Sequence, residues 1–243
     1  MVKTAARTLD VFEAFATARH PLSLSELARA IRAPVASCFG ITRTLERRGY
    51  LYAIRPRRGF YPTKRMLENA RLIAADDPLA ERVAPVLTDL RDATGETVIF
   101  GKRVEDRGVY LDVLESRHTV RYTARIGDFK PLHSSAVGKA LLGALDETER
   151  RSLLARLDLA RVTPATITSR RALTADLAAG RARGWYVTRG ENVPDVMAVA
   201  TPVAMNEEVF AIAVAGPIQR MTPRLERHAA RLVAARQKLE ANG

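Results

Sequence analysis

Cysteine is nearly missing: Cys38 is the only one in 243 residues. An internal disulfide and a cysteine-rich zinc site are therefore excluded, which suits a reducing cytoplasm. Long apolar runs are missing too. No stretch approaches the roughly 18 consecutive apolar residues of a membrane-spanning helix, so no membrane partner is expected. The opening MVKTAARTLDVFEAF lacks an apolar core followed by a small-residue cleavage site, so a cytoplasmic protein is expected. Histidine is sparse, and no two of His20, His118, His133 and His228 stand at metal-ligand spacing. No dinucleotide fingerprint is present, and Gly138-Lys139 lacks the earlier glycine of a Walker loop. Neither a metal nor a cofactor is expected. His133-Ser134-Ser135 sets a base beside two hydroxyls, but adjacency in sequence supplies no orienting acid. Capping of the following helix accounts for the serines, so no catalytic residue is assigned and the chain is not expected to be an enzyme.

Positive charge is what the sequence has in excess. The 39 lysines and arginines stand against 27 acids, for a net charge of +12. Through Ala75 there are 14 basic and 5 acidic residues, and the rest carries 25 against 22. A strongly basic amino-terminal module thus precedes a nearly neutral one, which points to a polyanion at one end and another task at the other. The expected division is residues 1–62, a linking helix over 63–77, and a second domain over 78–243.

Within the basic module, Leu9, Phe12, Phe15 and Ala16 recur at helical spacing. Ser23-Leu24-Ser25-Glu26 fits a capping box that opens a helix over Leu24 to Ile31. After the turn at Arg32-Ala33-Pro34, a further helix runs to about Arg48 and stops at Gly49. Two short helices across a tight turn form a helix-turn-helix. On the second of them Cys38, Ile41 and Leu45 fall on one side. Ala36, Gly40, Arg43 and Arg47 lie opposite, flanked by Ser37, Phe39 and Thr44. Two arginines among very small residues can approach base edges and phosphates. Gly40 in mid-helix costs about 1 kcal/mol relative to alanine; close approach to DNA or a crowded helix crossing would each give it a purpose. Tyr50 to Tyr61 reads as a hairpin whose tip, Arg55-Pro56-Arg57-Arg58-Gly59, suits a wing lying along phosphates. The DNA-contacting set is therefore Ser25, Ser37, Phe39, Gly40, Arg43, Thr44, Arg47, Arg55, Arg57 and Arg58, and its partner is double-stranded operator DNA.

Beyond Pro78 the pattern changes to short strands with helices gathered around them. Strands are expected over Thr97–Val104, Gly108–Leu114, Thr119–Arg125, Trp185–Thr188, Val196–Met205 and Val209–Ala215. Helices are expected over Ser135–Leu145, Glu147–Leu157 and Arg171–Arg183, with a closing helix opened by Thr222-Pro223. Consecutive strands of this kind argue for α+β with an antiparallel sheet.

The run LSLSELARAIRAPVASCFGITRTLERRGYL resembles the winged helix-turn-helix of the IclR family of bacterial transcription regulators. Further along, ATGETVIFGKRV, GVYLDVLES, IGDFKPLHSSAVGKALL, RARGWYV and VAVAGPIQR stand in the family's order and spacing. The resemblance implies a carboxyl-terminal GAF-like domain with a curved sheet that holds a small-molecule effector, and a homodimer or homotetramer. It carries pocket positions onto Ser134, Ser135, Ala136, Val137, Thr188, Arg189, Glu191, Ala198, Ala213 and Ala215. Several of these places are polar in relatives that sense small oxoacids and are apolar here, so an aromatic or medium-sized organic acid is expected. Helix-start amides, with Arg125 or Arg189, would hold its carboxylate. Asp195 stands where the family usually has glycine. Two alternatives stay open at this stage: an architectural DNA binder that ignores small molecules, and an enzyme using the carboxyl-terminal pocket.

Overall fold

The computed structural model describes residues 2–54 and 59–241, with the backbone alone for residues 78–80. Its contacts divide the chain into two units, Met1–Asp77 and Pro78–Gly243.

In the first unit α1 (Lys3–Ala18), α2 (Leu24–Ala30) and α3 (Val35–Arg47) close around Val11, Phe15, Leu27, Cys38, Ile41, Leu45 and Leu51. The start of α2 is the reciprocal cap that the sequence suggested. Ser23 Oγ accepts from the Glu26 N–H at 3.3 Å, and Glu26 Oε2 accepts from the Ser23 N–H at 2.8 Å. Gly49, at φ +74°, ends the α3 segment in the left-handed region. The strands β2 (Leu51–Ile54) and β3 (Gly59–Pro62) pair as expected. A two-residue strand β1 (Leu22–Ser23), too short to leave a pattern in the sequence, adds to the free side of β3. Arg55, Arg57 and Arg58 lie outside the described residues. The helix α4 (Arg65–Ala75) belongs to this unit: Arg65 Nη1 donates to Arg48 O at 2.8 Å, and Asn69 Nδ2 to Tyr50 Oη at 2.9 Å. None of its residues is buried.

The second unit is α+β. It starts with α5 (Pro78–Thr94), then β4 (Thr97–Val104), β5 (Arg107–Leu114) and β6 (Phe129–Pro131). Three helices follow, α6 (Ala136–Ala144), α7 (Glu147–Arg156) and α8 (Arg170–Arg183), and then β7 (Tyr186–Arg189), β8 (Val196–Met205) and β9 (Glu208–Pro217). The short α9 (Ile218–Met221) and a single 3₁₀ turn lead into α10 (Leu225–Ala241). Among the described residues the strands form one antiparallel sheet in the order β6-β5-β4-β9-β8-β7.

Strand alternation divides this sheet into two unlike faces. Val98, Phe100, Met197, Val199, Ile212 and Val214 point to the side covered by α5 and α10. Ile99, Ala200, Ala211, Ala213 and Ala215 point to the side covered by α6, α7 and α8. The alanine face lets α6 come close. On α6 a Cβ at Gly143 would collide with the Tyr186 ring of β7, and one at Gly138 with the Leu132 backbone in the turn before the helix, so only glycine fits at either place.

One expected strand does not form. Residues 119–125 alternate in the right way but pair with no strand among the described residues, and β6 takes the free side of β5 only along Arg107–Val109. Side chains satisfy its backbone instead: Thr97 Oγ1 donates to Tyr122 O at 2.6 Å and Arg220 Nη2 to Val120 O at 3.0 Å.

His228 on α10 is fully buried, and neither ring nitrogen has a hydrogen-bond partner among the described residues. Burial holds its pKa below the usual 6.5; Glu96 opposes this shift, and Arg227, Arg224 and Arg231 add to it. As pH falls through 6.5 the unfolded chain takes up a proton that the folded chain refuses, so stability is lost on acidification. The slope approaches about 1.4 kcal/mol per pH unit until the folded pKa is reached. Thermal unfolding at pH 7.5 and 5.5 is expected to show a lower midpoint at the acid pH, with a smaller drop for His228→Met.

Candidate nucleic-acid interface and ligand cavity

The helix α3 presents two sides of opposite chemistry. Cys38, Ile41, Thr42 and Leu45 are buried in the first unit's core. Ser37, Phe39, Gly40, Arg43, Thr44 and Arg47 are all exposed, as is Ser25 at the start of α2. The structure therefore gathers the expected α3 residues on one solvent face, with both arginines on it. The Arg43 guanidinium lies 5.9 Å from the centre of the Phe39 ring, a cation–π distance that restrains the arginine. A Cβ built on Gly40 meets nothing within 4 Å. No described neighbour inside the unit crowds that glycine, so the helix surface at Gly40 is open to solvent. The wing arginines Arg55, Arg57 and Arg58 fall in the undescribed residues 55–58, so only the strands that flank them are placed.

In the second unit a small, partly open cavity lies between the alanine face of the sheet and the start of α6. Ala213, Ala215, Ala198 and Ile99 supply sheet-side walls, and Thr188 stands on β7. Ser135, Ala136 and Val137 bring in the start of α6. Ser135 caps that helix, accepting from the Gly138 N–H at 3.1 Å and donating from Oγ to Pro131 O at 2.7 Å. The first N–H groups of a helix have no intrahelical partner, so the Ala136 and Val137 amides are available to an anion.

Four expected pocket residues do not line this cavity. Arg125 is exposed and its backbone N–H donates to Asp128 Oδ2 at 3.4 Å. Arg189 follows Thr188 on a strand, so alternation turns it to the opposite side, where it is exposed. Ser134 accepts from Asn192 Nδ2 at 3.1 Å, behind the cavity wall. Glu191 is buried against the Lys139 ammonium, 2.9 Å from Oε1, and Asp176 Oδ2 lies 2.8 Å from the same nitrogen. Burial pushes the Glu191 carboxyl up and Lys139 pulls it back. This ion cluster ties α6, α8 and the 190–195 loop together; it is a brace behind the pocket.

The sequence reading missed Tyr110, Tyr122, Asn192, Val193 and Val196, which complete the lining with Ile99. Tyr110 faces the cavity because the β4–β5 register slips between Phe100 and Gly101. Leu111 is left unpaired by the slip; a regular ladder would set Leu111 opposite Gly101 and turn Tyr110 to the other face. Burial raises the Tyr110 phenol pKa well above its usual value, and the neighbouring Tyr122 adds to the shift. Asp195, at φ +59°, adopts a left-handed conformation that glycine favours, where the loop re-enters β8.

Comparison with known proteins covers both units. Residues 73–240 match the family model described as the carboxyl-terminal domain of the bacterial transcriptional regulator IclR, and residues 4–54 match the IclR helix-turn-helix domain. The transcriptional regulator SauR of Cupriavidus necator is 34% identical over 90% of this chain and 87% of its own. A crystal structure of a transcriptional regulator from Rhodococcus sp. RHA1 matches with a TM-score of 0.81 at 26% identity, covering 99% of this chain and 98% of that one. An IclR homologue from Microbacterium hydrocarbonoxydans, crystallised with 4-hydroxybenzoate, shares the fold at a TM-score of 0.80 and 22% identity, covering 98% of each chain.

Gly40→Ala is expected to raise unfolding stability by about 0.5–1 kcal/mol, since the added methyl has room and the helix loses a poor former. The same variant is expected to weaken binding to duplex DNA severalfold in a fluorescence anisotropy titration. Unchanged affinity would place Gly40 away from the interface.

Proposed function

Because this chain belongs to the IclR family of bacterial transcriptional regulators, DNA-binding proteins with an effector-binding carboxyl-terminal domain, we propose that an aromatic or medium-sized organic acid controls its operator binding. One observation carries the reading: an apolar cavity floored by Ala198, Ala213 and Ala215 meets the open amides of Ala136 and Val137. A carboxylate at the helix start gains the N–H donors and the positive end of the helix dipole. An apolar body covers the alanine floor, where a two- or three-carbon acid would leave apolar wall unfilled. The Microbacterium homologue, of the same fold, holds 4-hydroxybenzoate, an aromatic acid. With Arg125 and Arg189 exposed, the helix amides are the anion-holding element of this proposal and the arginines drop out of it.

The chain acts in the cytoplasm as a homodimer or homotetramer, since one recognition helix spans part of an operator and paired heads match a two-fold site. The effector works by binding the DNA-competent and incompetent arrangements with different affinity. Ser25, Ser37, Arg43, Thr44 and Arg47 contact the duplex, and Arg55, Arg57 and Arg58 neutralise phosphates. The absence of DNA response to any metabolite would favour a purely architectural role.

Calorimetric titration with substituted benzoates and with two- and three-carbon oxoacids tests the ligand class. Benzoates are expected to bind, and Ala213→Asp, which places a charge on the cavity floor, is expected to weaken them at least tenfold. Binding of the short acids alone would overturn the proposal. Alanine at Arg47 is expected to weaken DNA binding and to flatten the slope of log affinity against log salt by about one.

A further inference from the structure

The amino-terminal half of α3 carries two large apolar side chains that the first unit leaves in solvent. Val35 is 51% exposed and Phe39 is 48% exposed. They stand four residues apart and so form one short stripe along the helix. Beside the stripe lie Ala36 and Gly40, which put no bulk in front of it. At the next step of the same stripe is Arg43, its guanidinium held 5.9 Å from the Phe39 ring centre. The other flank of the helix is polar, with Ser37 and Thr44, and Arg47 stands between the flanks.

This stripe has no use in a surface that only neutralises phosphates. The ring of Phe39 and the methyls of Val35 offer no hydrogen bond, and a polar base edge pressed against them would lose its partner to no gain. In the major groove the base edges present donors and acceptors with one exception, the 5-methyl group of thymine. The first turns of a recognition helix are the ones that meet base edges. We propose that Val35 and Phe39 read thymine methyl groups in each operator half-site, and that Phe39 also steers the neighbouring Arg43 guanidinium to the O6 and N7 of an adjacent guanine. The inference rests on α3 being the groove-reading helix, as argued above. It assigns the base class that this helix selects. The exposed carbon of Phe39 then has a partner, and Arg43 enters the groove with part of its side-chain freedom already restricted.

The test uses the full chain. Duplexes are enriched from a random pool by rounds of binding to the purified protein, and each thymine of the enriched sequence is replaced in turn by uracil, which lacks only the methyl. One or two positions per half-site are expected where uracil weakens binding by about three- to tenfold. That loss is expected to vanish in Phe39→Ala at one position and in Val35→Ala at the other, while Phe39→Leu keeps it. Both alanine variants are expected to melt like the parent, because the residues are exposed, and Phe39→Leu supplies a folded variant in any case. Indifference to uracil at every thymine, or sensitivity that survives both alanine variants, overturns the inference and leaves the regulator reading intact. A pool that yields no enriched sequence overturns both.

Discussion

The second unit depends on one packing constraint: its sheet is buried on both faces, and the two faces differ in side-chain size. Valine, isoleucine, methionine and phenylalanine fill the side under α5 and α10. The other side is largely alanine along β8 and β9, so α6 can settle close to the sheet, helped by Gly143 against Tyr186 of β7. Bulky residues there would hold α6 away and fill the space that the cavity occupies. Close packing and an open pocket therefore come from the same choice of small residues.

Around that pocket, the 190–195 loop is fastened from two sides. Lys139 is fully buried on α6 and joins Glu191 of the 190–195 loop to Asp176 of α8. Thr163 Oγ1 and Thr166 Oγ1 donate to Gly190 O and Glu191 O at 2.6 and 2.7 Å, fastening the same loop from a second side. Asn192 and Val193, the next residues, reach the cavity. Loop residues at the cavity are thus carried by neighbours fixed in the interior, and the buried Lys139 ammonium is compensated by two carboxylates, of which Asp176 stays partly in solvent.

Much of this was legible in the sequence where short-range chemistry decides the outcome. The Ser23–Glu26 cap, the end of α3 near Gly49 and the alternation of β8 and β9 all follow from neighbours a few residues apart. Seven of the expected effector residues line one cavity, because the start of α6 and the alanine positions of β8 and β9 are readable from pattern. What was not legible depends on partners far along the chain. Residues 119–125 have a strand's alternation, yet Thr97 and Arg220, far along the chain, bind their carbonyls where a ladder would have done so. Arg125 and Arg189 carry the right charge for an acid, but their side chains point away from the cavity. Tyr110 was invisible for a subtler reason, since its direction is set by a register slip with no local signature.

That slip also bears on how such a sensor diversifies. The slip leaves Leu111 as one surplus residue in an otherwise regular ladder, and it decides whether a phenol or an aliphatic chain looks into the cavity. Straightening the ladder with Leu111 kept would turn the leucine in and the tyrosine out, whereas losing Leu111 would leave the tyrosine where it is. Ligand preference in this architecture is therefore open to change by a shift of strand register as well as by point substitution.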